Sequence, residues 1–200
     1  MVIENKNKVI ELLRSTNRQN ITKILRYLEN TDFYIAPAST KYHGSYEGGL
    51  CEHSLNVYEQ AIQLYDIECK IQPNIKNLIN VNNIIISSLL HDVCKINLYN
   101  KIKKWKKDSN DKWVEYETYE STYQDLPVGH GEKSVIRILQ NEFPLEECEI
   151  LAIRWHMSSF DLSDSYETKQ SFNEACSKTP LLPILMCADN LATRITELSC

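Results

Sequence analysis

The stretch Ser87–Tyr99, SSLLHDVCKINLY, places a histidine and an aspartate side by side at the end of an apolar segment. The run of isoleucine and leucine before them predicts a helix that is buried on most of its surface. Polar groups next to such a helix are unfavourable unless they find partners. His91 and Asp92 therefore indicate a site to which other parts of the chain contribute.

The composition predicts one helical domain over residues 1–200. The chain has 42% hydrophobic and 24% charged residues, which is an ordinary globular balance. Five glycines and six prolines favour long helices with few tight turns. Aromatic residues around the turn-like DSND, including Trp105 and Trp113, predict a β-hairpin at residues 97–124. The expected fold is all-α, a helical bundle with this one hairpin inserted.

Helical spacing of apolar residues sets the other expected elements. Two short helices are expected within residues 1–31, followed by a loop that contains Pro37 and the Gly48-Gly49 pair. Further helices are expected at residues 50–70 and, after Pro73, up to about Lys95. Three more are expected after the hairpin: one that starts near Gly129, one with Pro144 in its first turn, and one at residues 180–198.

Charge and apolar patterning exclude several classes of function. The net charge of -5 argues against stable binding of duplex nucleic acid. No segment has the length of a signal peptide's apolar core or of a membrane span, so we expect a cytoplasmic protein without membrane contact. The seven cysteines form no C-x-x-C pair and are interpreted as reduced, structural residues. A homo-oligomer is compatible with the sequence.

Four residues on three predicted helices form a candidate metal site. His53 lies in the first turn of one helix, and His91 and Asp92 lie at the end of the next. Asp189 interrupts the apolar LLPILMCADNLA, where an unpaired carboxylate would be unfavourable, so it needs a cationic partner. Imidazole and carboxylate ligands fit one or two divalent ions of Mn, Fe, Co, Ni or Zn, and Mg is also compatible.

The order H…HD…D resembles the HD-domain superfamily of metal-dependent phosphohydrolases. GGLCEHSLNVY and LLHDVCK are similar to its first two motifs, and the resemblance extends over residues 42–194. The chain most resembles the HD domain of bacterial 3′-to-5′ exoribonucleases, which also has a histidine before the first motif and a hairpin after the second. It is similar as well to HD proteins of phage and prophage origin.

This resemblance implies a second metal site. His130 in VGHGEKS and His156 in RWHMSS match histidines that bind a second metal in that branch, with Asp92 bridging the two ions. The chain departs from the pattern at Trp155, since related sequences often have two adjacent histidines there. It also lacks the oligonucleotide-binding barrel of the exoribonucleases, so processive action on a long strand is not expected.

Phosphoester hydrolysis is the reaction that such a site predicts, with a metal-activated water as the nucleophile. We expect catalytic roles for Asp92, for Lys95 one helical turn further on, and for His130. Phosphate contacts are expected from Lys41, His43, Lys133 and Arg194. Base stacking is open to Tyr42, Tyr46, Trp155 and Phe160.

Four functions fit these residues. The first is hydrolysis of small nucleotides, and the second is an exonuclease or phosphodiesterase acting on short oligonucleotides or cyclic nucleotides. The third is a non-catalytic nucleotide- or partner-binding module on an HD scaffold. The fourth, a purely structural metal, is disfavoured because closed structural zinc sites are usually rich in cysteine.

Overall fold

The computed structural model describes residues 1–122, 126–158 and 165–198, and these ranges are mostly helical. The helices are α1 Val2–Ser15, α2 Ile21–Glu29, α3 Gly49–Ile71, α4 Val81–Leu90, α5 His130–Gln140, α6 Glu147–Trp155, α7 Tyr166–Lys178 and α8 Leu181–Leu191. The strands are β1 Tyr99–Lys107 and β2 Trp113–Ser121. None of the described helices is long and apolar enough to span a membrane.

Two apolar clusters hold the helices together. The first contains buried residues from every helix from α1 through α6, and its fully buried side chains include Leu13, Leu89 and Ile153. The second joins the later part of α3 to α6 and α8 and includes the fully buried side chains of Val57 and Leu182. Truncating one buried leucine to alanine typically costs about 2–5 kcal/mol. Because α3 packs against both α4 and α8, these clusters fix the relative positions of the three helices that carry the first candidate ligands.

Helix α4 ends earlier than the sequence predicted, at Leu90 rather than near Lys95. His91 caps the helix, Asp92 leaves the helical conformation, and Val93–Lys95 forms one 3₁₀ turn. Adjacent residues in an unbroken α-helix point about 100° apart. The change of backbone at this point allows His91 and Asp92 to face a common centre although they are neighbours in the chain.

The predicted hairpin is present, so all-α describes the fold only approximately. Strands β1 and β2 pair antiparallel, from Tyr99 opposite Ser121 to Lys107 opposite Trp113. The Asp108 carboxylate accepts hydrogen bonds from two backbone N–H groups of the turn, and Asp111 has a φ of 61°. Both strands lie within the expected range 97–124, of which residues 123 and 124 are outside the described residues.

Three other expectations about helices are corrected. The segment Pro73–Asn77 is a 3₁₀ turn that precedes α4, and Pro144 lies before α6 instead of in its first turn. Helix α7 was not expected, because among its residues only Ala175 is buried and its apolar periodicity is weak. A serine cap supports its start, where Ser165 Oγ accepts a hydrogen bond from the backbone N–H of Thr168.

Candidate metal centre

The six predicted metal ligands converge on one place. His53 comes from the first turns of α3, His91 and Asp92 follow α4, His130 begins α5, His156 follows α6, and Asp189 lies in α8. The ring centroids of His53 and His91 are 5.3 Å apart, those of His91 and His156 are 4.8 Å apart, and those of His130 and His156 are 5.5 Å apart. Residues from five helices or helix ends thus form a single cluster.

Asp92 lies at the centre of this cluster, and its two oxygens face different neighbours. Oδ1 lies 2.7 Å from His130 Nε2 and 3.6 Å from His156 Nε2. Oδ2 lies 3.4 Å from His91 Nε2 and 3.7 Å from His53 Nε2. A carboxylate with one oxygen toward each pair of imidazoles has the arrangement needed to bridge two ions.

Asp92 is held in its ionised form. Burial alone would raise its pKa, but the Lys95 ammonium and His91 lower the pKa well below its usual range. Lys95 Nζ lies 2.7 Å from Asp92 Oδ2, and this ion pair raises the pKa of Lys95 in spite of its burial. Lys95 therefore stays positively charged beside the Asp92 carboxylate. Among the described residues, the other possible cations at this carboxylate are imidazoles.

Two of the histidines are oriented by the backbone of their own helices. His91 Nδ1 lies 2.8 Å from the carbonyl oxygen of Ser88, and His156 Nδ1 lies 2.7 Å from that of Ile153. A ring whose Nδ1–H donates to a carbonyl presents Nε2 as a lone pair. Both Nε2 atoms are buried and have no hydrogen-bond partner among the described residues.

These orphan nitrogens test whether a metal fits. A buried acceptor without a partner typically costs about 1–3 kcal/mol. Burial lowers the pKa of His156, although Asp92 opposes this effect, so protonation is not the favoured way to satisfy its Nε2. A divalent cation would satisfy both lone pairs and the Asp92 carboxylate together. The donor set therefore fits a transition metal.

Asp189 and Glu197 both contact His53, from opposite sides of its ring. Asp189 Oδ1 lies 3.3 Å from His53 Nε2, and Glu197 Oε1 lies 2.9 Å from His53 Nδ1. Burial alone would lower the pKa of His53, but the hydrogen bonds that its ring donates to these carboxylates raise the pKa to about 9. The pKa values of both carboxyls are lowered by His53 against the opposite effect of burial.

Sequence reasoning missed Glu197 as a member of this site. Asn56 Nδ2 donates to Glu197 Oε1 over 3.0 Å, so the carboxylate is held from α3 as well. Its signal is absent from the sequence because Glu197 is 144 positions from His53 and lies in no periodic pattern. A carboxylate on the far nitrogen of a ligating histidine orients the ring and increases its basicity.

Cys94 is the second residue that sequence reasoning missed at this site. It was interpreted as a small apolar core residue, and it is indeed buried. Its Sγ, however, lies 3.3 Å from His130 Nε2. The six cysteines in the described ranges are free thiols, in line with the expected reduced state.

A cavity of about 380 Å³ opens onto the cluster. Its lining includes five of the predicted ligands, His53, Asp92, His130, His156 and Asp189, together with His43, Lys95 and Arg194. His43 is a neutral imidazole at neutral pH, because burial, followed by His53 and Lys95, lowers its pKa to about 4. Lys95 and Arg194 supply cationic side chains to the lining, and in the metal-free protein the raised pKa values of His53 and His130 add positive charge, which suits an anionic ligand.

The other predicted substrate contacts lie elsewhere. Lys41 is exposed on the loop before α3, and Lys133 is buried; neither is among the residues that line the cavity. Tyr42 and Tyr46 are exposed, whereas Trp155 is buried and packs edge-on against Phe172. Phe160 lies outside the described residues.

Comparison with known proteins adds a chemical class. A dihydroneopterin 2′,3′-cyclic phosphate phosphodiesterase of Methanocaldococcus jannaschii is 32% identical over 117 residues. The match covers 58% of this chain and 41% of the relative, so the chain spans less than half of the relative's length. No family model and no solved structure matches the chain.

Proposed function

We propose that this protein is a metal-dependent phosphohydrolase of the HD-domain superfamily, and that it opens small cyclic phosphodiesters. The observation that carries the proposal is the carboxylate of Asp92, which presents one oxygen to each of two imidazole pairs beside a cationic cavity. The name of the curated relative supports the cyclic phosphodiester as the bond that is cleaved. We further propose that residues 1–200 form a single domain with an HD core at 42–194.

The ligand set divides into two groups around Asp92. His53, His91 and Asp189 would hold one divalent ion with Asp92 Oδ2, and His130 and His156 would hold another with Oδ1. When bound, such ions supply an activated water and stabilise the charge on phosphate oxygens. The chain's own residues then have to bind the phosphate, keep Asp92 ionised and exclude bulk water.

Lys95 and Arg194 are proposed to bind the phosphate. Both line the cavity, and the Lys95 side chain is mostly buried beside Asp92, so its charge acts in a medium of low dielectric constant. Arg194 is exposed at the rim and offers a planar, bidentate donor to phosphate oxygens. His130 is proposed to act at the other oxygen of Asp92, Oδ1, which lies 2.7 Å from its Nε2, whereas Lys95 pairs with Oδ2.

The size of the cavity favours a small substrate. Ligand pockets for small molecules commonly have volumes of about 300–1,000 Å³, and this cavity is near the lower end of that range. A nucleoside or pterin cyclic phosphate is of this class. Hydrolysis adds water across one P–O bond of the cyclic diester and yields a phosphomonoester and a free hydroxyl group.

The test is a substrate screen with metal-reconstituted protein. It should include 2′,3′-cyclic nucleotides, dihydroneopterin 2′,3′-cyclic phosphate, nucleoside mono- and triphosphates, and short RNA and DNA. We expect conversion of cyclic phosphates to monophosphates, and we expect Asp92→Asn to abolish it. Release of inorganic phosphate from monophosphates would instead identify a phosphomonoesterase, and metal binding without turnover of any substrate would favour a binding module.

Exonuclease action on short oligonucleotides is the second candidate. It is favoured by two features shared with the exoribonuclease HD domain that the sequence resembles. His43 lies in the loop before α3, and the hairpin β1–β2 follows the HD pair. Stepwise release of nucleoside monophosphates from a short RNA in the same screen would select this activity.

A further inference from the structure

Cys94 occupies a position that a structural thiol does not require. Its Sγ lies 3.3 Å from His130 Nε2 and 3.5 Å from His130 Nδ1, and its side chain is buried. The turn that carries it is fixed, since the backbone N–H of Cys94 donates to Ser134 Oγ on α5 over 3.2 Å. The sulfur is therefore held beside the same imidazole that contacts Asp92 Oδ1.

We propose that Cys94 is a thiolate ligand of the metal held by Asp92 and His130. One ligand atom from each of these three residues lies within 4.8 Å of the other two. With Zn–S bonds of about 2.3 Å and Zn–N bonds of about 2.0–2.1 Å, tetrahedral ligands place sulfur and nitrogen about 3.5 Å apart. The observed 3.3 Å between Cys94 Sγ and His130 Nε2 is close to this separation.

An independent observation indicates that an ion belongs at this place. His156 Nε2 is buried, has no hydrogen-bond partner among the described residues, and lies 3.6 Å from the same Asp92 Oδ1 that contacts His130. Together the four residues provide two nitrogens, one oxygen and one sulfur. Trp155, next to His156, packs against Phe172 and supplies no ligand.

The position of Cys94 also suits an open catalytic site. Cys94 is not among the residues that line the cavity, whereas Asp92, His130 and His156 are. As a ligand, the sulfur would approach from the side away from the cavity, and water or substrate would enter from the cavity side as an added, fifth ligand. Coordination breaks the S–H bond, and the proton leaves to solvent.

The consequence concerns which metal is selected. Thiolate sulfur favours zinc and other soft or borderline ions, whereas sites made of carboxylate and water favour magnesium and manganese. This inference rests on the proposed metal-dependent function and assigns the sulfur-containing site to zinc, iron or cobalt. The other group, His53, His91 and Asp189 with Asp92, has only nitrogen and oxygen ligands.

Cobalt substitution tests the proposal without relying on activity. The metal-free protein is titrated with Co²⁺, and the absorption spectrum is recorded for wild type, Cys94→Ser and Cys94→Asp. We expect a near-ultraviolet sulfur-to-cobalt charge-transfer band in wild type and its loss in both variants. Affinity for the second Zn²⁺ should fall by more than about 10-fold in Cys94→Ser. Replacing a residue that only hydrogen-bonds to a metal ligand already lowers metal affinity by about 10-fold or more.

Two other cysteines provide matched controls. Cys187→Ser removes a thiol that lines the same cavity, and Cys69→Ser removes a buried thiol in the second apolar cluster. Both should keep the charge-transfer band. X-ray absorption of the zinc protein should show sulfur at about 2.3 Å in wild type and in both controls, but not in Cys94→Ser.

The failures can be told apart. Visible cobalt d–d bands with no charge-transfer band in the wild type would overturn the role of Cys94 and leave the metal centre in place. A charge-transfer band that survives in Cys94→Ser and disappears in Cys187→Ser would also overturn it. Failure of the wild type to bind Co²⁺ or Zn²⁺ at all would overturn the proposed function itself.

Discussion

Glu197 Oε1 lies 2.9 Å from Nδ1 of His53, the imidazole whose opposite nitrogen faces Asp92 and Asp189. This contact connects the end of the described chain to the first turns of α3. In the neutral imidazole it fixes the tautomer of His53, because Nδ1–H donates to the carboxylate and Nε2 is left as the lone pair that the proposed metal would use. Glu197 is thus placed to position His53, a proposed metal ligand, from the side of the ring that faces away from Asp92 and Asp189.

Replacing Glu197 by glutamine tests this positioning role. Glu197→Gln should weaken binding of the metal held by His53 by about 10- to 100-fold while the protein stays folded. Metal affinity measured by competition with a chelator is the direct check. Glu59→Gln is a suitable control, because Glu59 pairs with Lys8 on the exposed surface of α3. Equal affinities in wild type and Glu197→Gln would contradict the positioning role.

The two ligand groups should fail separately. Asp92→Asn should lose both ions, because each oxygen of Asp92 faces one group, whereas His156→Ala should retain about one ion per chain. High metal concentration should partly restore activity in His156→Ala, since mass action refills a weakened site. His53→Ala should lose the first ion. Elemental analysis after dialysis provides the measurement, with the exposed Asp66→Asn as control.

Equal metal loss in His53→Ala and His156→Ala, with no rescue of either, would contradict the two-site model. It would indicate one shared centre instead. The ring centroids of His91 and His156 are only 4.8 Å apart, so the geometry alone also allows a single ion between them. The metal count is therefore the decisive quantity.

The stability of the metal-free protein should fall from pH 7 to pH 10. Burial lowers the pKa of both His53 and His130, but their neighbours outweigh it. Asp189 and Glu197 raise the pKa of His53 from 6.5 to about 9, and Cys94 and Asp92 raise that of His130 from 6.5 to about 10. A raised pKa stabilises the folded state fully below the unfolded pKa, and this contribution is lost as pH rises through the folded pKa. Urea unfolding of chelator-treated protein measures it.

The same titration predicts that metals displace protons. At pH 7.5 His53 and His130 are protonated in the metal-free protein, so metal binding should release protons, and apparent affinity should rise toward pH 9. Calorimetry in buffers of different ionisation enthalpy counts the released protons. Stability and affinity that are both independent of pH over this range would contradict the prediction, and His53→Gln should flatten part of each curve.

The residues that sequence analysis found share one property. His53, His91, Asp92 and Asp189 are polar residues inside or at the ends of apolar helices, so their desolvation marks them without any knowledge of the tertiary structure. To predict that these residues meet at one point together with His130 and His156, the order of motifs in a known family was also needed. The mostly helical fold and the hairpin followed from periodicity and turn residues in the same local way.

The residues that it missed lack such a mark. In the sequence, Cys94 has the character of a small apolar core residue. Its contact with His130 depends on how α5 packs onto the 3₁₀ turn Val93–Lys95. Glu197 becomes significant only because the segment after α8 returns to α3. Apolar spacing marks neither the start of helix α7 nor the early end of α4. A serine cap supports the start of α7, and the contact of the His91 ring with the backbone carbonyl of Ser88 accompanies the end of α4.

Helices α4 and α6 are held together at their amino ends, and each is followed by a histidine that is a proposed metal ligand. Glu149 of α6 is fully buried, accepts a hydrogen bond from Asn83 of α4 over 2.9 Å, and pairs with Arg18 over 2.6 Å. The two helices have nearly equal lengths of ten and nine residues, and the rings of His91 and His156 that follow them have centroids 4.8 Å apart. This buried cluster therefore sets the alignment of two ligands at the opposite ends of their helices.

Removing the charge of Arg18 tests this link between stability and the site. Arg18→Met leaves the Glu149 carboxylate buried without its cation, which should lower the free energy of unfolding by about 3 kcal/mol. The double substitution Arg18→Met and Glu149→Leu should recover most of this loss, because it removes both charges. Lys6→Met, in the exposed Lys6 and Glu29 pair, should change stability by about 1 kcal/mol or less. Urea unfolding is the measurement, and a loss in Arg18→Met no larger than in Lys6→Met would contradict the role of this cluster.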